Sequence, residues 1–238
     1  MPMNKVLSYC LGLGILVFAL MAAIPVSVYD VDDFMAQAEI NRVSQRTGLK
    51  DSELRDVAVE IFNYLEGERS DFDITITTAG QTRHLFNGDE QQHMVDVAGL
   101  TALSRILLAV SLLTLLCCGT TLFLRDQKGL YRGLIDGGLW GLGLLILLAL
   151  LGSMDFTAVF EGAHRLIFSN DLWLLDPKKD LLINIVPEPY FIHLALRVAG
   201  MAAAMDLFFV ALGIGGYVRM KRIESSEEKQ DKNEHIKH

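Results

Sequence analysis

Four apolar stretches constrain this chain more than any other feature, because each holds about 20 or more residues and a helix of that length crosses a hydrocarbon core roughly 30 Å thick. They run from Val6 to Val28, Leu100 to Leu124, Gly133 to Met154 and Phe191 to Tyr217. Backbone amides in lipid must be satisfied within the segment itself. The expected fold class is therefore a mainly α membrane protein with four transmembrane helices. The first stretch resembles a signal peptide in having Lys5 before it and Ala22-Ala23 near its end. Its apolar core exceeds the roughly 7 to 15 residues of a signal h-region, so it is expected to be retained as a span. No lipobox cysteine follows it, so the chain is not expected to be a lipoprotein itself.

Basic residues set the expected direction of the spans. Lys5, then Arg125, Lys128 and Arg132, then Arg219, Lys221 and Arg222 mark one side as cytoplasmic, with both termini inside. The expected plan is spans at 6–28, 100–124, 133–154 and 191–217. An extracytoplasmic cap covers 29–99, an outer interfacial segment covers 155–190, and a cytoplasmic tail covers 218–238. The tail beyond Ile223 is charged and lacks aromatics, so it is expected to be disordered. With 29 acidic against 21 basic residues the net charge is −8, which argues against a nucleic-acid binder. Cys10, Cys117 and Cys118 all fall inside apolar runs, which argues against a disulfide framework or a surface thiolate metal site.

The cap has local signals of a small α+β unit. Ser52 is placed to cap a helix with Leu54, Val57, Ile61 and Leu65 on one face. Phe72, Ile74 and Ile76 alternate as in a strand, and Gly80 and Asn87-Gly88 mark turns around a return strand from Thr82 to Phe86. Some 70 residues make a thin core, so the cap is expected to rest on helix ends or on the bilayer. In the second outer segment, Phe156, Phe160, Ala163, Ile167 and Phe168 form an apolar stripe interrupted by His164, with Asn170 as a helix stop. Asp176-Pro177 is expected to start another helix that runs to Val186 before Pro187. Trp173, Tyr190 and Phe191 read as an aromatic belt.

Several residues could carry chemistry. Glu90, His93 and Asp96 are spaced three apart, so on a helix two carboxylates flank one imidazole. This pattern also fits a solvated helix start favoured by the helix dipole. His164 breaks an apolar stripe expected at the same depth, and two histidines at one boundary form a candidate acid–base pair. His84 and His193 read as packing or interfacial residues. Arg105 and Arg197 lie inside the outer ends of spans, where they could reach a headgroup, an ester carbonyl or the carboxylates near His93, or simply snorkel or form an ion pair. Asp136 and Asp206, also within spans, read as structural. Gly12-Leu13-Gly14 and Gly141-Leu142-Gly143 read as helix-packing sites.

The run FEGAHRLIFSNDLWLLDPKKDLLINIVPEPYF, from Phe160 to Phe191, together with EQQHMVDV, from Glu90 to Val97, resembles the bacterial lipoprotein intramolecular transacylases. The similarity extends to the plan of four spans and an outer cap. It implies an enzyme that moves the sn-2 acyl chain of a diacylglyceryl-modified lipoprotein to the α-amine of its N-terminal cysteine, giving the lyso-form. It also implies two catalytic histidines, which map onto His93 and His164. Membrane lipid and bacterial lipoproteins are the expected partners, and no metal or other cofactor is expected.

Ester-to-amide transfer needs a base for an amine with a pKa of about 7.7 to 8.0 and a proton for the departing glyceryl oxygen, and imidazole suits both tasks. Phe160, Phe168, Trp173, Tyr190 and Phe191 are expected to line the pocket and exclude water. Glu90, Asp96, Arg105, Asn170, Glu188 and Arg197 complete the expected orienting or substrate-binding set. Glu90 and Asp96 are expected to orient His93 and raise its proton affinity. Desolvation among aromatics would then favour His164 as the base at the amine, with His93 stabilising the intermediate and protonating the glyceryl oxygen, and the reverse assignment stays open because substrate charge alters both affinities. Two other readings stay open. One is a zinc-dependent membrane hydrolase using His84, His93, His164 and a carboxylate, although no compact ligand spacing supports it. The other is a non-catalytic envelope assembly or sensor protein whose histidines respond to pH.

Overall fold

The computed structural model describes residues 3–78 and 81–236. In chain order the elements are α1 (Met3–Val28), α2 (Val31–Ile40), α3 (Val43–Thr47), α4 (Asp51–Glu66), β1 (Thr75–Thr78), β2 (Gln81–His84), α5 (Gly88–Arg125), α6 (Gln127–Met154), α7 (Phe156–Ile167), α8 (Leu182–Ile185) and α9 (Glu188–Ile236). Among the described residues, α1, α5, α6 and α9 are long and apolar enough to cross a membrane, and the chain is a multi-pass membrane protein. It divides into two compact units. One comprises Met1–Ala22, Leu107–Ile146 and Gly200–His238, and the other Ala23–Ile106 and Leu147–Ala199.

The first unit is built by close helix approach. A Cβ at Gly137 would fall 2.6 Å from the Gly12 carbonyl oxygen, and one at Gly133 would fall 2.8 Å from that of Ser8. Only glycine lets α1 and α6 meet this closely. Ser8 adds a hydrogen bond by donating its hydroxyl to the Gly129 carbonyl at 2.8 Å. Leu11, Ile15, Cys118, Leu122 and Leu134 form the buried cluster of this unit. Asp206 is buried against Gly141. The charged tail, expected to be disordered, continues as α9 through Ile236. Its residues from Glu224 onward are mostly Glu, Lys, Gln, Asp and Asn without Gly or Pro, so nothing in the sequence terminates the helix.

In the second unit, α4 begins two residues earlier than Ser52 capping requires. Lys50 is the N-cap, and its backbone N–H donates to the Glu53 side chain at 2.9 Å. The antiparallel hairpin pairs Thr75 with His84 and Thr78 with Gln81. The return strand is Gln81–His84 rather than Thr82 to Phe86, and just beyond its end the Leu85 amide adds one bond to the Ile74 carbonyl at 3.0 Å. Gly80 lies outside the described residues. One core joins Phe34, Leu54, Val57, Ile61, Phe62, Phe72 and Ile74 to Met94 on α5, Leu182 and Ile185 on α8, and Tyr190 on α9. The segment 29–99 therefore completes its core with residues from the helix ends and from the segment 155–190, as a domain this small requires.

No helix starts at Asp176-Pro177. Residues 177–179 form a turn, and only Leu182–Ile185 is helical. The Asp176 side chain accepts from the Lys178 amide at 2.9 Å, while the Asp176 amide donates to the Asp180 side chain. These local bonds hold a turn in competition with the helix start.

Candidate active site

α5 has 38 residues and is about 57 Å long at 1.5 Å per residue. That is nearly twice a hydrocarbon core, so its first three turns, carrying Glu90, His93 and Asp96, extend beyond the span expected from Leu100. Asn87 starts this helix by accepting the Asp89 and Glu90 amides on its side-chain oxygen at 2.9 and 3.0 Å. Glu90 is fully buried. Its two carboxylate oxygens accept the Leu182 amide at 2.7 Å and the Asn87 amide at 2.8 Å. Burial pushes its carboxyl above the ordinary range, and those amides oppose the shift. Glu90 thus fastens α5 to the start of α8, and its oxygens are not used on His93.

The second histidine is set by α7. Asp155 caps this helix by accepting the Ala158 amide at 2.9 Å. His164 lies in its last turn with Nδ1 2.7 Å from the Phe160 carbonyl. A carbonyl only accepts, so Nδ1 carries the proton and the neutral ring keeps its lone pair on Nε2. Aromatic rings surround the imidazole, with centroids at 4.0 Å for Phe160, 5.5 Å for Phe168 and 5.1 Å for Trp173. Phe191 packs on Phe160 at 5.1 Å.

Phe168 links the two histidines. Its ring lies 5.4 Å from His93, edge to face, as well as beside His164. His93 is 7% exposed, and its Nδ1 is buried without a hydrogen-bond partner among the described residues. Desolvation, reinforced by the nearby His164, holds His93 below the usual histidine range against the pull of Asp96. The sequence-based expectation that carboxylates raise its proton affinity is therefore corrected. Charging the ring would add a proton to a nitrogen with no acceptor, which explains the direction.

Asp96 and Asn170 meet across 74 residues of chain: the Asn170 amide donates to Asp96 at 2.9 Å. Asn170 is not the helix stop, since α7 ends at Ile167 and Phe168 is already extended. The Asn170 oxygen accepts the Leu172 amide at 3.1 Å, which shapes the turn leading to buried Trp173.

Other expected residues are placed elsewhere. Arg105 donates to the Leu65 carbonyl at 2.9 Å at the C-terminal end of α4, a stabilising place for a cation. Arg197 pairs with Asp33 at 2.6 Å and Asp30 at 3.1 Å. Tyr190 packs edge to face on Phe34, with its hydroxyl pushed up to about 12 by burial. Glu188 accepts from the Thr157 hydroxyl at 3.0 Å. His193 approaches Asp33 at 3.0 Å. His84 lies on the hairpin 2.6 Å from Asp73 and is exposed. Among the described residues no three His, Cys, Asp or Glu side chains gather as a metal site. The Asp30–Asp33 pair was not singled out from sequence, although Asp30 before Val31 with Asp33 three residues on is a helix-start signal.

The sequence matches the family described as lipoprotein intramolecular transacylase Lit over residues 9–191. The chain belongs to that family. Solved structures agree with the Lit fold. The membrane-integral lipoprotein intramolecular transacylase Lit from Bacillus cereus superposes with a TM-score of 0.78 at 21% identity, covering 93% of this chain and 98% of that one. Variants of the Bacillus cereus protein in which one histidine is replaced by arginine or alanine give TM-scores of 0.74 and 0.72 at 19% and 20% identity. Each covers 93% of this chain, and they are covered to 95% and 96%. No curated protein matches the sequence.

Proposed function

We propose that this protein is a lipoprotein intramolecular transacylase that carries the sn-2 acyl chain of a diacylglyceryl group to the α-amine of the same substrate's N-terminal cysteine. The observation that carries the reading is the convergence of His93 and His164 on Phe168, with His164 held so that its Nε2 is the basic nitrogen. The amine attacks the ester carbonyl as His164 Nε2 takes its proton. The tetrahedral intermediate then collapses, the bond from carbon to the glyceryl oxygen breaks, and that oxygen receives the proton back from His164. The product has the substrate's own atoms, with one ester exchanged for one amide.

His93 is assigned a different part from the one read in the sequence. With its charged form disfavoured and Nδ1 buried, the neutral ring keeps its proton on Nε2, where it donates a hydrogen bond to the charge developing on oxygen. Phe160, Phe168, Trp173 and Phe191 exclude water that would hydrolyse the ester. Holding amine and ester of one molecule together supplies up to several kcal/mol of the barrier reduction. The site works at the outer leaflet, in a chain with both termini in the cytoplasm, and the acyl chains remain in lipid.

Turnover of a diacylglyceryl peptide by purified protein tests the pair. His93→Ala and His164→Ala should each lose most activity, with the double variant little worse than the poorer single, and His84→Ala should stay active. Near-normal rates for either single variant overturn the pairing, and a dead His84→Ala moves the site toward the hairpin.

A further inference from the structure

A hollow of about 400 Å³ in the first unit is lined by Asn4, Lys5, Ser8, Tyr9, Asp126, Lys128, Gly129, Arg132 and Asp136. Its charges are unusual in being uncommitted. Among the described residues, the side chains of Lys5, Lys128, Arg132 and Asp136 make no ion pair or hydrogen bond, although Arg132 and Asp136 lie one turn apart on α6. Asp126 is occupied, since it caps α6 by accepting the Gly129 amide at 2.9 Å. Three free cations therefore face one free carboxylate in the same hollow.

That set of charges fits a zwitterion whose anionic part bears several oxygens and whose cationic part is small. Guanidinium and ammonium groups recognise phosphate, and a carboxylate recognises a primary ammonium that can donate to it. The surroundings point to a lipid. Tyr9, at the wall of the hollow, stacks on Trp140 with centroids 6.3 Å apart and planes 14° apart, and both rings are exposed. Tyr9 lies within two turns of the start of α1 near Lys5, at the headgroup level where exposed aromatics beside basic residues collect, and Trp140 lies about two turns further along α6 than Arg132, toward the apolar part of the bilayer.

We infer that this hollow binds the headgroup of an aminophospholipid, with phosphate held by Lys5, Lys128 and Arg132 and the ammonium by Asp136. The site is separate from the histidine pair and does not depend on the transacylase reading. Its acyl chains lie along the exposed apolar surface beside Trp140.

The test is native mass spectrometry of the full chain released from nanodiscs that contain equal amounts of phosphatidylethanolamine, phosphatidylglycerol and phosphatidylcholine. Phosphatidylethanolamine should be retained several-fold over the other two. Asp136→Asn should reduce its retention to the phosphatidylglycerol level, whereas Lys128→Gln with Arg132→Gln should weaken retention of both. Thermal unfolding in detergent checks each variant. If Asp136→Asn does not fold, the exposed Lys128 and Arg132 variants still decide the phosphate half. In a separate arm, free phosphoethanolamine is added to detergent-solubilised protein: failure to displace the retained lipid at millimolar concentration identifies the intact lipid as the ligand, and displacement identifies the headgroup alone as sufficient. Equal retention of all three lipids overturns the inference, as does a phosphatidylethanolamine preference that survives Asp136→Asn.

Discussion

Removing the Asn170 side chain should damage the rate far more than the stability. Its amide bridges to Asp96 at 2.9 Å and its oxygen holds the Leu172 amide at 3.1 Å, so one residue ties the His93 helix to the loop that carries Phe168 and Trp173. Asn170 is exposed and Asp96 half-buried, so the bond to the carboxylate contributes about 1.5 kcal/mol to stability, the lower end for a charged acceptor. Its effect on catalysis acts through position. A displacement of about 1 Å between groups that must meet costs on the order of 100-fold in rate. Asn170→Ala should therefore lower kcat by about 10- to 100-fold with a small change in Tm. Asn170→Asp should be worse, since two carboxylates at 2.9 Å repel by about 1.4 kcal/mol in bulk water and by about 6 kcal/mol at an effective dielectric of 20. The pair Asp96→Asn with Asn170→Asp restores an amide-to-carboxylate bond and should recover much of the loss. The assay is single-turnover conversion of a diacylglyceryl peptide for the wild type, both singles and the swap, read as a double-mutant cycle. An Asn170→Asp variant as fast as wild type, or a swap no better than the singles, would refute the positioning argument.

The remaining predictions concern protonation, the Glu90 anchor and topology. In histidine-labelled protein, NMR should find His93 still mostly neutral at about pH 6.5, the ordinary histidine pKa, and His164→Asn should raise its value by removing the second imidazole that works against a charge on His93. Because the folded value lies below the unfolded one, the unfolded chain binds more protons between them. Stability should fall as pH drops through about 6.5, and this slope should diminish in His93→Gln. Glu90→Gln should destabilise by about 1–3 kcal/mol, because its NH₂ would face the Leu182 or Asn87 amide, and calorimetry in detergent would show it. A single cysteine at Lys178 should be labelled only from outside intact cells and one at Lys128 only after the cytoplasmic side is opened; the opposite pattern would remove the outer-leaflet site.

Features set by local pattern were legible in the sequence. The four apolar helices, the α7 stripe and the placement of Phe160 and Phe168 on either side of His164 follow from length and 3.6-residue periodicity, which need no tertiary knowledge. That His93 and His164 come to lie against one ring, Phe168, was foreshadowed by a polar break in an apolar stripe and by a three-spaced triplet. Partners of the charged residues were not legible. Glu90 has the spacing to reach His93, yet its oxygens go to Leu182 and Asn87, and a backbone amide 92 residues away leaves no trace in local sequence. Arg105 and Arg197 are similar: their positions near span ends were clear, but the Leu65 carbonyl and the Asp30–Asp33 pair are supplied by folding of the cap. The direction of the His93 shift failed for the same reason, since burial under Phe168 outweighs the adjacent Asp96.

The central claim is best tested on a defined diacylglyceryl peptide with an isotope-labelled sn-2 acyl chain, followed by tandem mass spectrometry after incubation with the purified protein. Intramolecular transfer is an isomerisation, so the intact mass should stay unchanged while the label moves from the glyceryl fragment to the N-terminal cysteine amide. Mixing labelled and unlabelled peptides of different length should give no crossed products. Release of labelled free fatty acid with a matching loss of mass, or label on the wrong peptide, would contradict the account.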